Sequence, residues 1–168
     1  MKPIVSIIMG SISDLPIMER AAAFLNDMCV PFEINALSAH RTPDSVEKFA
    51  KEAKDRGIEV IIAGAGMAAA LPGAIAANTI IPVIGVPIKG MIDGLDAMLS
   101  MIQMPPGIPV ATVGVNGSIN AAILAIEILS LKNPELSKRL EKFKDELKNK
   151  TKKANIELKE IKYDYKTN

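Results

Sequence analysis

The sequence is poor in the residues that most often carry chemistry. It holds one cysteine, one histidine, no tryptophan, four phenylalanines and two tyrosines in 168 residues. One cysteine excludes an intrachain disulfide and fits a reducing, intracellular setting. Cys29 sits at an apolar helix end with no histidine near it in sequence, so it reads as a small buried residue rather than a nucleophile. One histidine and one cysteine make no cluster of the kind that holds a metal, and none is expected. The scarcity of aromatics leaves almost nothing to stack on a flavin or on nucleic-acid bases. No leader pattern precedes the strand-like IVSIIM, so no export signal is expected.

Charge is the other scarcity. From Val60 to Ile126 only Lys89, Asp93 and Asp96 are charged. The uncharged run Val60 to Ile88 is long enough to raise the question of a membrane span. Gly64, Gly66, Pro72, Gly73, Asn78, Pro82, Gly85 and Pro87 interrupt it every few residues, a pattern of short elements and turns, so no membrane is expected. A chain of this length fits one domain, 1–168, with a core over about 1–131 and a C-terminal helix and tail over 132–168. One small domain has trouble burying so much uncharged surface, so part of it is expected to meet other copies of the chain. Charge collects instead from Lys132 to Asn168, where 12 basic and 7 acidic residues give +5; the other 8 basic and 12 acidic residues give −4. Acids alternate with the lysines of that tail and no aromatics interleave, which describes a solvated helix face rather than a nucleic-acid partner.

What is present is a regular alternation. Ile4–Met9 is a continuous apolar run, the pattern of a strand buried on both faces. A helix is expected from about Asp14 to Met28, with Ile17, Ala21, Phe24 and Met28 toward the sheet, then a strand from Phe32 to Leu37. Val46, Phe49, Ala50 and Ala53 mark one face of a second helix, about Pro43 to Arg56, stopped by Gly57. Strands follow over Ile58–Ala63, Pro82–Pro87 and Pro109–Gly114, with helices over Asp93–Met104, from Gly117 to about Leu131, and over Pro134–Lys150. The tail Asn155–Tyr163 alternates apolar and polar residues like an edge strand. Strands alternating with helices give an α/β fold, a three-layer doubly wound parallel sheet whose five strands suit a flavodoxin-like order, with extra helices at the C-terminus.

The site candidates follow the first three strands. Ser38-Ala39-His40-Arg41-Thr42-Pro43 holds the only imidazole, the side chain whose charge changes near neutrality. Arg41 beside it suits phosphate or carboxylate, and Thr42-Pro43 reads as the N-cap and first position of a helix. A structural histidine with a solvated arginine fits the same two residues. Gly10-Ser11-Ile12-Ser13-Asp14 has strand–loop–helix character; Ser11 and Ser13 can donate to phosphate oxygens, and Asp14 suits a ribose hydroxyl or simply the first helical turn. The loop lacks GxGxxG and a P-loop lysine, and Ser13 serves equally as an N-cap. Gly64, Ala65 and Gly66 open a small-residue stretch through Leu71-Pro72-Gly73 that lets the backbone approach a ligand, or a helix approach the sheet. All three stretches would converge outside the carboxyl ends of the strands.

With these motifs in order, GSISD (10–14), SAHRTP (38–43), AGAG and LPG (63–66, 71–73), PVIGVP (82–87), QMPPGIPVAT (103–112) and NAAILA (120–125), the chain resembles the PurE family. These are class I N5-carboxyaminoimidazole ribonucleotide mutases of purine biosynthesis. The resemblance covers about Val5 to Leu131. It implies a cytoplasmic octamer that moves a carboxylate from the exocyclic nitrogen of a ribonucleotide to C4 of its imidazole, with no metal or organic cofactor. It further implies that Ser11, Ser13 and Arg41 hold the 5′-phosphate, Asp14 the ribose, that Ser38, Gly64, Ala65, Gly66 and Leu71 line the site, and that His40 transfers the proton. One position departs: Ala70 stands where the family pattern has a histidine before LPG. Three readings follow from that: a mutase working with His40 alone, a carboxylase joining CO2 directly to aminoimidazole ribonucleotide, or a nucleotide-binding module without turnover. A flavin- or nucleotide-carrying flavodoxin-like protein is a fourth, disfavoured by the lack of aromatics.

Overall fold

The computed structural model describes residues 1–168. The chain divides into two units, Met1–Leu129 and Ser130–Asn168. The first holds a five-stranded sheet, parallel throughout, in the order β2-β1-β3-β4-β5. The strands are β1 (Val5–Met9), β2 (Phe32–Ala36), β3 (Val60–Gly66), β4 (Val83–Ile88) and β5 (Ala111–Thr112). Between them run α1 (Leu15–Asp27), α2 (Pro43–Glu52), α3 (Leu71–Ala76), α4 (Leu95–Ile102) and α5 (Ser118–Ser130). This is the flavodoxin-like α/β order, with helices on both faces.

The central strands read as unbroken apolar runs because both their faces are covered; every residue of β1 and β4 is buried. Period-two alternation splits their side chains. Ile8, Ile61, Ala63 and Val83 pack with Val46, Phe49 and Ala50 of α2, Leu71 and Ile75 of α3, and Ala97 and Met101 of α4. The opposite face meets α1, which is tied to the start of α5 by the buried Ser118 hydroxyl, donating to the Ile17 carbonyl at 2.5 Å.

Several local expectations are corrected. Of the expected α1 face Ala21 and Met28 are buried, while Ile17 and Phe24 are only half-buried and Met18, Ala22 and Leu25 take the core instead. Two overlapping apolar stripes exist in that helix, and the strand selects one: a side chain at Gly64 would lie 2.5 Å from Met18 Sδ, so the missing Cβ makes the hole that Met18 fills. β3 runs on to Gly66, which puts Gly64–Gly66 in the strand rather than in a loop. α4 starts two residues late because Asp93 (φ +52°) and Gly94 (φ +85°) are both left-handed. β5 is two residues long; Pro109, expected to open it, has no N–H to give a ladder. α3 was not expected, since Pro72 and Gly73 read as punctuation, yet a proline in the first turn of a helix costs nothing there. Cys29 is exposed, not buried: it takes the left-handed conformation (φ +54°) that ends α1 and turns its side chain outward.

The second unit is one helix, α6 (Pro134–Glu160), capped at its start by Asn133 Oδ1, which accepts from the Leu136 N–H at 3.1 Å. It continues ten residues beyond the expected end, and the expected edge strand at Asn155–Tyr163 is mostly helix. No glycine or proline stops it, and Ile156 and Leu158, the apolar half of the alternation, stay exposed. The ammonium of Lys166 folds back onto the Leu158 and Ile161 carbonyls and closes its last turn. No helix of the chain is long and apolar enough to cross a membrane.

Candidate active site

β1 lies between β2 and β3, so the connections leaving β1 turn to one side and those leaving β3 to the other. That switch point opens a crevice at the carboxyl ends of the strands. It is a cleft of about 460 Å³. Ser11, Ser13, Asp14, Ser38, His40, Arg41, Ala65, Gly66 and Leu71 all line it, from three loops far apart in sequence. Gly64 does not; its place is behind the cleft, against Met18. Gly10, Ala39 and the segment Met67–Ala70 line the cleft without having been singled out as site residues. All of them lie inside the three stretches already marked, and Ala70 was marked for its departure from the family pattern.

In the first loop, Ile12–Asp14 form a 3-10 turn capped by Ser11. The Ser13 N–H donates to Ser11 Oγ at 3.3 Å, and the Ser11 N–H donates to Asp14 Oδ2 at 3.2 Å. The cap is therefore Ser11, and Asp14 answers it reciprocally. The Ser13 hydroxyl donates to Ser11 Oγ at 3.0 Å, so two hydroxyls sit side by side at the cleft, free to rotate toward an acceptor. Burial pushes the Asp14 carboxyl above its ordinary value of 3.8, against the pull of the Ser11 N–H and the charge of Arg41. The protonated form is thus favoured on folding. Its stabilising effect is full below 3.8 and fades as pH rises through the raised folded value. Thermal melts of parent and Asp14→Asn should therefore diverge with pH. The variant gains relative to the parent as pH rises above 3.8, and a gap that stays constant or shrinks on that rise would contradict the burial effect.

The second loop is a single turn closed on itself. The Thr42 N–H donates to the Ser38 carbonyl at 2.8 Å, the Ser38 N–H donates to Thr42 Oγ1 at 3.0 Å, and that hydroxyl donates back to the Ser38 carbonyl at 3.1 Å. Thr42 holds the N-cap position and Pro43 opens α2, as expected. The threonine hydroxyl is spent on the loop rather than on the helix N–H groups. Ser38 Oγ accepts from the Arg41 N–H at 3.2 Å and from Arg41 Nε at 3.4 Å, and Arg41 Nη2 donates to the Gly10 carbonyl at 3.1 Å. Arg41 therefore ties the end of β1 to the end of β2 and leaves its guanidinium at the cleft beside the serines. His40 is exposed at the same edge.

The third wall is apolar backbone. Past Gly66, Met67 takes a left-handed conformation (φ +54°), the Ala69 N–H donates to the Met67 carbonyl at 2.9 Å and the Ala70 N–H to the Ala68 carbonyl at 2.7 Å. Ala70 stands at the N-cap of α3 with only a methyl to offer. The cleft thus holds a guanidinium and two hydroxyls suited to an anion, a carboxylate, one imidazole able to carry a proton, and a wall with no competing nucleophile.

A model of the AIR carboxylase family matches residues 4–150. The chain is 59% identical over 147 residues to the N5-carboxyaminoimidazole ribonucleotide mutase of Pyrococcus abyssi, covering 87% of this chain and 84% of that protein. It is 55% identical over 143 residues to the phosphoribosylaminoimidazole carboxylase of Candida glabrata, where the match covers 84% of this chain but 25% of the longer protein. Among solved structures, Treponema denticola PurE superposes with a TM-score of 0.85 at 31% identity, over 94% of this chain and 99% of that one.

Proposed function

The chain belongs to the AIR carboxylase family, and from that premise we propose that it converts N5-carboxyaminoimidazole ribonucleotide to 4-carboxy-5-aminoimidazole ribonucleotide in purine biosynthesis. The observation that carries this reading is the meeting of His40, Arg41 and the Ser11 and Ser13 hydroxyls in one cleft.

The roles follow from chemistry. Arg41, Ser11 and Ser13 hold the 5′-phosphate, with a fork of N–H donors and two hydroxyls. Asp14 takes a ribose hydroxyl with the carboxylate oxygen its capping bond leaves over. Ser38 lines the site and fixes the Arg41 side chain through Nε. Anchored by its phosphate, the ring is oriented by binding energy remote from the reacting atoms. His40, as imidazolium, gives a proton to the exocyclic nitrogen while the N–CO2 bond breaks, leaving CO2 and the free amine. C4 then attacks CO2, and the neutral imidazole takes the C4 proton, so the histidine ends as it began. Ala65, Gly66 and Leu71 wall the space in which CO2 waits, and none of them can trap it. The chemistry needs neither metal nor organic cofactor.

Ala70 favours one competing reading. With a methyl where the family pattern has an imidazole, the enzyme would act as a carboxylase on aminoimidazole ribonucleotide and free CO2. Assaying both substrates separately, the second with bicarbonate, decides. Turnover of the N5-carboxylated ribonucleotide alone supports the mutase, efficient turnover of the other makes it a carboxylase, and binding without turnover of either leaves a nucleotide-binding module.

We also take the protein to be cytoplasmic and a homo-oligomer, an octamer in the family reading. Exposed apolar side chains at Ile80, Met91, Ile92, Leu99 and Ile102 support association. Sedimentation should give eight times the 18.0 kDa chain mass; a species at the chain mass would overturn it.

A further inference from the structure

Met67 does not fit the explanation that covers the rest of its loop. The cleft wall from Ala65 to Ala70 is otherwise glycine and alanine, which suits close approach of a ligand. Met67 interrupts it with the longest unbranched apolar side chain available, at a position whose backbone (φ +54°) favours glycine. A left-handed conformation strains a residue with a long side chain, and strain of this kind gathers at functional sites. The side chain is not held by the core that would otherwise justify it: Met67 is 64% exposed. Among the residues lining the cleft it is one of two apolar side chains larger than a methyl, and the other, Leu71, is 3% exposed and fixed. The Met67 Cγ lies beside the β4–α4 loop, where a Cβ on Gly90 would sit at an ordinary contact distance of 3.8 Å. A strained backbone, a mobile thioether with three rotatable bonds and a cleft whose fixed walls are short thus coincide at one residue.

We infer that Met67 is a positioning residue for the ligand ring: its thioether folds over the exposed face of the bound aminoimidazole and closes the mouth of the cleft to water. This rests on the proposed ribonucleotide chemistry and adds to it the part that retains CO2. When the N–CO2 bond has broken, CO2 partitions between attack by C4 and escape to solvent. An open mouth favours escape, so the amine accumulates as aminoimidazole ribonucleotide instead of carboxylated product.

The test uses the full chain labelled with ¹³C at the methionine methyls, and the Met67 signal is identified by its absence in Met67→Leu. Adding aminoimidazole ribonucleotide should shift that signal upfield and broaden it, because the methyl comes under the face of the ring; ribose 5-phosphate alone should leave it in place. A signal unmoved while the His40 ring resonances respond overturns the inference and spares the proposed function. If neither responds at saturating ligand, both fall. Met67→Gly supplies the second arm. Relieved of its strain it should melt a few degrees higher. It should nonetheless release a larger share of N5-carboxylated substrate as uncarboxylated amine and bind the ligand about tenfold more weakly, as expected for losing one buried apolar contact. Met67→Leu, nearly equal in volume, should recover most of that loss. A Met67→Gly protein that partitions CO2 as the parent does would overturn the inference as surely as the silent methyl.

Discussion

Replacing His40 with asparagine is expected to lower turnover of N5-carboxyaminoimidazole ribonucleotide by about a thousandfold while changing its affinity by no more than a few-fold. The asymmetry follows from where the imidazole sits. No hydrogen bond ties His40 into the loop, whose turn is closed by Ser38, Arg41 and Thr42 instead. Asparagine can therefore replace it without disturbing the guanidinium or the serines that hold the phosphate. What it removes is the one imidazole at the cleft, the proposed proton carrier. Both halves of the carboxylate transfer lose their acid or base together, and no second imidazole stands by to substitute. Single-turnover kinetics beside calorimetric binding separates the two effects. A variant keeping a tenth or more of the parent rate would remove His40 from the chemistry.

Arg41→Ala should act the other way, cutting kcat/KM by about a hundredfold, mostly through KM, the loss expected for one or two charge-assisted hydrogen bonds. Two effects add here. The guanidinium is the only arginine or lysine head group lining the cleft, so the phosphate would lose its forked partner and keep the two serine hydroxyls. It also bridges the Gly10 carbonyl and Ser38 Oγ, so its loss loosens the two loops against each other. Arg41→Lys keeps the charge but cannot span both acceptors with a planar fork, and should recover only part of the loss. If Arg41→Lys binds phosphate-bearing ligand as well as the parent does, charge alone is at work and the bridging is incidental. If Arg41→Ala binds as the parent does, the phosphate lies elsewhere.

The layered fold was legible because strand burial writes itself into composition: β1 and β4 are apolar at every position but one or two, and only a doubly covered sheet asks for that. The convergence of three loops was legible for the same reason, since strand ends in such sheets face one way. What escaped were choices made by tertiary contact. The sequence of α1 offers Ile17 and Met18 on neighbouring stripes, and only the hole at Gly64 decides between them. Gly64 itself was assigned to the ligand when its missing Cβ serves Met18. Cys29 and Asp93 looked ordinary, and their left-handed backbones depend on where a helix must stop or start. The alternation at Asn155–Tyr163 carried a strand's period, and an uninterrupted run of helix formers prevailed.

The all-parallel sheet also sets the order of events in time. None of its four strand pairings can be closed by a tight turn, because each parallel neighbour is reached only after the chain has crossed a face of the sheet. β1 is made first and lies between β2 and β3, so one of its edges waits for β2 and the other for β3. As the chain leaves the ribosome, Val5–Met9 is therefore a sticky apolar segment with at least one open edge until β3 has emerged. The cleft, whose lining ends at Leu71, comes into being almost at the moment that hazard closes.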